Sequence, residues 1–262
     1  ARESGKESPG FSHGENVNDL KPFLEAADVD SLEAHALTKD WATGQLVPCF
    51  RDRLLIRLLF RCGLRVSEVV AIAVDDIDLD RAEVRVLHLK ERVQLYCREC
   101  GGRLARAHRF CPGCQREVTE AEKRIQETRR QRVLPLDGET VELLQHFISG
   151  GGPVMKDGRL MVFGITPTRA WQIVRDAARR AGLPPLLNPE SGKARGVSPH
   201  RLRDAFATHA ASVDGSIEGV RILQELMGHK DMSTTMRYVK VAGRQQREYF
   251  DRLWAKPDKA GG

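Results

Sequence analysis

The chain has 262 residues, 41% apolar and 30% charged, the balance of a soluble globular protein able to bury a real core in one large domain or two small ones. Its net charge of +6 and pI near 9.1 favour a polyanionic partner. No apolar run approaches the ~18 residues of a membrane span, since Leu54 to Phe60 is broken by Arg57, and no secretion signal opens the chain.

Residues 1–18 are rich in Gly, Ser, Glu and Asn and read as disordered. Leu20 to Leu37 carries scattered apolar positions and predicts one or two short helices, so 1–36 reads as a linker. Pro48 to Cys62 predicts a helix with Leu54, Leu55, Leu58 and Leu59 on one face. Gly63 breaks it, and Ser67 to Val74 begins the next. The corner reads Gly63-Leu64-Arg65-Val66-Ser67-Glu68, with Glu68 one turn from Arg65, placed to orient it by a salt bridge or to cap the helix. Glu83 to Lys90 alternates like a strand, and Gln131 to Leu136 reads as its returning partner.

Between those strands lie Cys97-x2-Cys100 and Cys111-x2-Cys114. Paired knuckles in a chain without an export signal read as metal thiolates in a reducing cytoplasm, not as disulfides. Four thiolates on two tight turns predict one tetrahedral, closed, structural Zn2+ site in a ribbon over 95–117. A fold this small has too little core to hold without metal. Residues 97–132 hold ten Lys/Arg and five Asp/Glu, so a net +5 lies there. The expected consequence is a polyanion-contacting surface that includes Arg103, Arg106 and Arg109.

Asp137 to Ser149 predicts a helix, Gly150 to Pro153 a loop, and Leu160 to Phe163 a short strand. Thr166 to Ala181 predicts an amphipathic helix with Trp171, Ile173 and Val174 inward and Arg169, Arg175, Arg179 and Arg180 outward. Leu183 to Val197 reads as a loop. Ser198 and Pro199 are a good N-cap and first helical residue. Leu202, Ala205, Phe206, His209 and Ala210 then repeat at helical spacing as the inward face. Val220, Leu223, Leu226 and Met227 make a second stripe, closed by Gly228 as a C-terminal cap. His200 and Arg203 lie one turn apart, His229 follows Gly228, and Tyr238 comes nine residues later. An arginine fork and two imidazoles can hold a phosphate and move protons near neutral pH. A tyrosine hydroxyl can attack phosphorus and form a covalent intermediate.

Gly63–Glu68, His200-Arg201-Leu202-Arg203, Gly228-His229 and Tyr238 together resemble the boxes of the tyrosine recombinases, the phage-integrase family. The resemblance covers roughly Leu37 to Tyr249. It implies a mainly α fold with a small antiparallel β-sheet (α+β), an integrase-type catalytic domain over 37–250 carrying the inserted zinc ribbon, and a tail over 251–262. It implies a DNA recombinase that cuts and rejoins double-stranded DNA through a 3′-phosphotyrosyl link at Tyr238, with no ATP or catalytic metal. Arg65 and Arg203 would clamp the phosphate, His200 would help deprotonate Tyr238, and His229 would donate to the phosphate. The family's hairpin lysine maps nearest to Lys90, with Lys123 second, because the ribbon interrupts the motif. The family also implies a homo-oligomer, a tetramer on DNA, docked through the apolar segment after Tyr238. Its usual N-terminal DNA clamp has fewer than forty residues to occupy here. A type IB topoisomerase-like enzyme and a non-catalytic zinc-ribbon DNA-binding protein are the alternatives.

Overall fold

The computed structural model describes residues 20–87, 95–126, 131–188, 191–229 and 231–242. Helix α1 (Ala26–Ala34) starts where Asp28 accepts from the Glu25 backbone N–H, and it buries Val29 and Leu32. Strands β1 (Leu37–Lys39) and β2 (Leu46–Pro48) form a hairpin whose turn is closed by Asp40 accepting from Ala42 and Thr43 N–H. Helix α2 (Phe50–Arg61) buries Ile56 and Phe60 besides the expected leucine face. It is wrapped on several sides, by α1 and by helices that come later in the chain. Even Arg57 is buried on it, ion-paired to Glu33 and Glu139 at 2.9 Å each.

Helix α3 (Val66–Val69) is one turn long, shorter than the expected run to Val74. A 3-10 turn (Val74–Asp76) follows and leads into β3 (Ile77–Asp78). Strand β4 (Glu83–Leu87) pairs antiparallel with β3 and, after the insert, with β7 (Gln131–Pro135), in the order β3-β4-β7. Val84 lies opposite Leu134 and Val86 opposite Arg132, so the alternation turns Val84 and Val86 into the core. The insert carries β5 (Leu95–Tyr96), β6 (Arg103–Leu104) and α4 (Glu120–Gln126). Its apolar residues Leu95, Leu104 and Val118 gather with Cys97 and Cys111 in a cluster of their own, apart from the main core.

Helix α5 (Gly138–Ser149) is capped by Asp137, which accepts from Thr140 N–H at 3.0 Å. Strands β8 (Val154–Lys156) and β9 (Arg159–Met161) form a hairpin, so the short strand expected at 160 has a partner that the sequence does not reveal. Helix α6 (Pro167–Arg180) buries Ile173, Val174, Ala177 and Ala178, but Trp171 is a correction. It faces solvent, with the Arg175 guanidinium 4.9 Å above its ring. Arg180 is a second one: it folds back to donate to Leu37 O at 3.0 Å. The expected loop before α7 holds a two-residue pairing, β10 (Leu186–Leu187) with β11 (Ala194–Arg195).

Helix α7 (Pro199–Val213) is the hub of the C-terminal half, packed against α2, α6, α8 (Ile217–Met227) and α9 (Met232–Ala242). Having neighbours on several sides, it buries Leu202, Arg203, Ala205, Ala207, Thr208 and Ala211, a wider surface than one stripe. His209, expected on the inward face, is exposed, its ring centroid 6.4 Å from that of Phe60. Phe206 touches both the main core and a second cluster built from Ala207, Ala211, Leu223, Met227 and Tyr238. Gly228 adopts the left-handed conformation at φ 61° and ends α8 as expected. The architecture is the mainly helical α+β fold with small antiparallel sheets that the sequence predicts.

Candidate active site

The site assembles where the Gly63 corner, the start of α7 and the α8–α9 turn meet. At the corner, Arg65 is the N-cap residue of α3, and its backbone N–H donates to Glu68 Oε2 at 2.9 Å. The Arg65 guanidinium returns to Glu68 Oε1 at 2.7 Å. Arg132 arrives from β7 and donates to the same carboxylate at 2.8 Å. Burial alone would raise the Glu68 carboxyl, but Arg132 and Arg65 outweigh it and hold it down to about 2. Glu68 therefore stays ionised and positions two guanidiniums.

Arg203 is buried on α7 and donates to Gly63 O and, at 2.6 Å, to Met227 O. It thus ties the α2–α3 corner to the end of α8. Burial first, then repulsion from Arg65, lowers it to about 10, still charged at neutral pH. The Gly63 carbonyl can point there because its residue sits at φ 56°.

His229 lies between cations. Its Nε2 is 3.3 Å from Arg203 Nη2, and its Nδ1 is 2.9 Å from Thr235 Oγ1. Arginine can only donate, so Nε2 accepts and Nδ1 carries the proton. Burial, then Arg203 and Arg65, depress the imidazole to about 4, which keeps it neutral at pH 7.

Tyr238 stacks on His229, ring centroids 6.4 Å apart and 14° from parallel. It is only 8% exposed, and its hydroxyl donates to Asp204 Oδ1 at 2.8 Å. Burial and the Asp204 charge push the phenol up from its ordinary value, while Arg203 and Arg237 pull against them. His200 sits at the mouth with its side chain 75% exposed, its Nε2 3.8 Å from Asp204 Oδ2. Outside lies a cavity of about 710 Å3 lined by Arg175, Arg195, Arg201 and Arg237, with Trp171 and Tyr238 in its wall.

Of the six expected catalytic residues, Arg65, Arg203, His229 and Tyr238 come together, and His200 stands at the entrance. Lys90 lies outside the described residues. Lys123 lies in the insert, where it donates to Arg106 O at 2.7 Å and pairs with Glu120. Three participants were missed: Arg132, Asp204 and Thr235. Asp204 carried a usable signal, since it is an acid one position after Arg203 and one turn after His200.

In the insert, the four sulfurs of Cys97, Cys100, Cys111 and Cys114 all lie within 4.8 Å of one another, close enough to hold one metal ion. The Cys97–Cys114 and Cys100–Cys111 pairs are 3.5 Å apart. Tetrahedral thiolates at ~2.3 Å from a zinc ion would stand ~3.8 Å apart, inside that spread.

The sequence pattern of the phage integrase family matches residues 23–98 and 116–244. The chain belongs to that family. The match omits residues 99–115, most of the cysteine ribbon, which is an addition to the family's pattern. The chain is 30% identical over 231 residues to a tyrosine recombinase XerD of Mycobacterium leprae, covering 82% of this chain and 54% of that one. It is 28% identical over 243 residues to a tyrosine recombinase XerC of Neisseria meningitidis serogroup B, covering 88% and 63%. It therefore spans about half to two thirds of the length of these relatives. Among solved structures, the XerA recombinase is similar in fold, with a TM-score of 0.56 at 18% identity, covering 90% of this chain and 66% of that one. The Tn1549 transposon integrase, solved with transposon right end DNA, has a TM-score of 0.53 at 19% identity, covering 88% and 67%. Among the described residues of this family member, no helix is long and apolar enough to cross a membrane.

Proposed function

We propose that the chain is the catalytic part of a site-specific recombinase that cuts and rejoins double-stranded DNA through a 3′-phosphotyrosyl link at Tyr238. One observation carries the reading. A buried phenol lies against His229, which contacts Arg203, beside the Arg65–Glu68–Arg132 cluster. Arg65 and Arg203 clamp the non-bridging oxygens of the scissile phosphate and neutralise charge as it builds. Glu68 and the backbone carbonyls of Gly63 and Met227 hold those guanidiniums in place beforehand, so little reorganisation accompanies the reaction. His200, exposed at the mouth, donates to a phosphate oxygen. His229, neutral with its proton on Nδ1, accepts from Arg203 at Nε2 and so steadies that guanidinium against the phosphate. Bond energy is kept in the phosphotyrosine, and a 5′ hydroxyl of a second duplex reverses the step.

The arginines of the adjacent cavity suit a polyanion, and so do the exposed Arg103, Arg106 and Arg109 of the ribbon. The ribbon takes Zn2+ as a structural ion, held by Cys97, Cys100, Cys111 and Cys114. Assembly is as a homotetramer on DNA. The exposed Val213, Ile217 and Ile222 offer apolar surface to a neighbouring copy's C-terminal segment, whose sequence carries Tyr249, Phe250, Leu253 and Trp254.

Tyr238→Phe tests the reading. It is expected to retain DNA but to form no covalent adduct with a nicked duplex on a denaturing gel. An undiminished adduct from the Phe variant removes Tyr238 as nucleophile.

A further inference from the structure

A tyrosine that attacks phosphorus must lose its proton, and the group in contact with that proton is not an imidazole. Asp204 Oδ1 accepts the Tyr238 hydroxyl at 2.8 Å, inside the ~2.6–3.2 Å reach of a general base. His200 meets only the far oxygen of that carboxylate, at 3.8 Å. His229 is engaged on both nitrogens, by Arg203 and by Thr235. We propose that Asp204 is a further catalytic residue, the general base that takes the Tyr238 hydroxyl proton as the oxygen attacks phosphorus. This rests on Tyr238 being the nucleophile.

The helix explains the placement. Arg203 and Asp204 are consecutive on α7, so their side chains leave about 100° apart. One reaches the Gly63 corner and Met227; the other reaches the phenol on α9. Arg201 Nη1, 3.5 Å from Asp204 Oδ2, holds the carboxylate from its far side. Around the pair stand His200, Arg201 and Arg203 of α7, Arg237 of α9, Arg195 of β11 and Arg175 of α6. Among the described residues, the charged side chains that line the cavity beside the phenol are cationic apart from Asp204. Burial pushes the phenol up, so ionisation in advance of attack is disfavoured and the proton has to leave during it. A carboxylate receiving a hydroxyl proton in phosphoryl transfer is established chemistry in protein kinases.

The step balances. The Tyr238 O–H bond breaks, its electron pair becomes the O–P bond, and the proton passes to Asp204 Oδ1. The bond from phosphorus to the 5′ oxygen breaks, and that oxygen leaves with its pair and takes a proton from water. His200, exposed beside Asp204 Oδ2, can carry the acquired proton to solvent. In the rejoining step the attacking 5′ hydroxyl gives its proton to water, and Asp204, reprotonated from solvent through His200, returns a proton to the leaving phenolate.

Asp204→Asn keeps the size and an acceptor oxygen but cannot take the proton. The probe is a pool of random-sequence duplexes nicked in one strand, with the adduct rate read on denaturing gels from pH 5.5 to 9. At pH 7 the variant is expected to be about a hundredfold slower than wild type. Its rate should climb with hydroxide where wild type is level, with thermal midpoint and DNA retention unchanged. A variant within threefold of wild type at pH 7, with the same pH profile, overturns the proposal. If wild type yields no more adduct than Tyr238→Phe, the nucleophile reading itself fails and takes the proposal with it. A second measurement needs no DNA. The tyrosinate absorbance that disappears in Tyr238→Phe reports Tyr238 alone, and in Asp204→Asn it should appear at lower pH because the adjacent charge is gone. An unmoved titration also overturns the proposal.

Discussion

Gly63→Ala tests whether the catalytic corner and the hub helix are one packed unit. At φ 56° an L side chain is strained by roughly 1–2 kcal/mol. A Cβ there would also stand 2.4 Å from Phe206 Cδ1 and 2.8 Å from Cε1, well inside contact distance. Phe206 is wedged between two apolar clusters, so the ring cannot swing away freely. Such overpacking costs about 1–3 kcal/mol, for a total of about 3 kcal/mol. The two contributions separate in a double-mutant cycle with Phe206→Ala, followed by urea unfolding of the metal-loaded protein. In the Phe206→Ala background, Gly63→Ala is expected to cost only the backbone share, about 1 kcal/mol, leaving a coupling of about 2 kcal/mol. A coupling below about 0.5 kcal/mol refutes the reasoning, because the ring would then not be what requires glycine. Since Gly63 O accepts from Arg203, the single variant should also slow adduct formation more than the stability loss alone explains.

Stability should fall as pH drops, through two groups in succession. His229 is depressed to about 4 when folded and rises toward 6.5 when unfolded, so the unfolded chain binds the extra proton between those values. Stability is lost as pH falls through that window, by about 2 kcal/mol after allowing for the partly exposed ring. Glu68, held at about 2 against 4.5, adds a second loss below pH 4.5. His229→Gln should flatten the first window and leave the second; urea midpoints at pH 7, 5 and 4 check this, and an equal decline in the variant refutes it. Stripping metal from the ribbon should speed amide exchange over residues 95–118 while α2 and β4 stay protected, because the ribbon's apolar cluster is separate and small. Unchanged protection over 95–118 after chelation counts against a metal-held ribbon. Replacing Arg103, Arg106 and Arg109 with Ala should lower the slope of log binding against log salt by about 0.9 for each phosphate the ribbon no longer neutralises. An unaltered slope removes the ribbon from the DNA interface.

The family, the α+β class and the four-cysteine ribbon were legible in the sequence. The family and its fold class were read by resemblance, from four short boxes, while the helices and the ribbon rest on short-range signals: apolar period, breakers such as Pro199 and Gly228, and ligand spacing in Cys97–Cys114. These survive in one dimension because the interactions behind them span a turn or two of chain. Burial patterns were legible only where a helix has one neighbour. Helices α2 and α7 have several, so Ile56, Arg57 and Thr208 are buried against the simple stripe, and Trp171 on α6 turns outward to meet Arg175. The network that readies the site was decided by tertiary structure alone. Arg132 meets Glu68 across 64 residues of sequence, Arg203 meets Gly63 across 140, and Asp204 meets Tyr238 across 34. Sequence names residue types, but a charge's strength and a proton's partner depend on distance and burial, which exist only once the helices have packed.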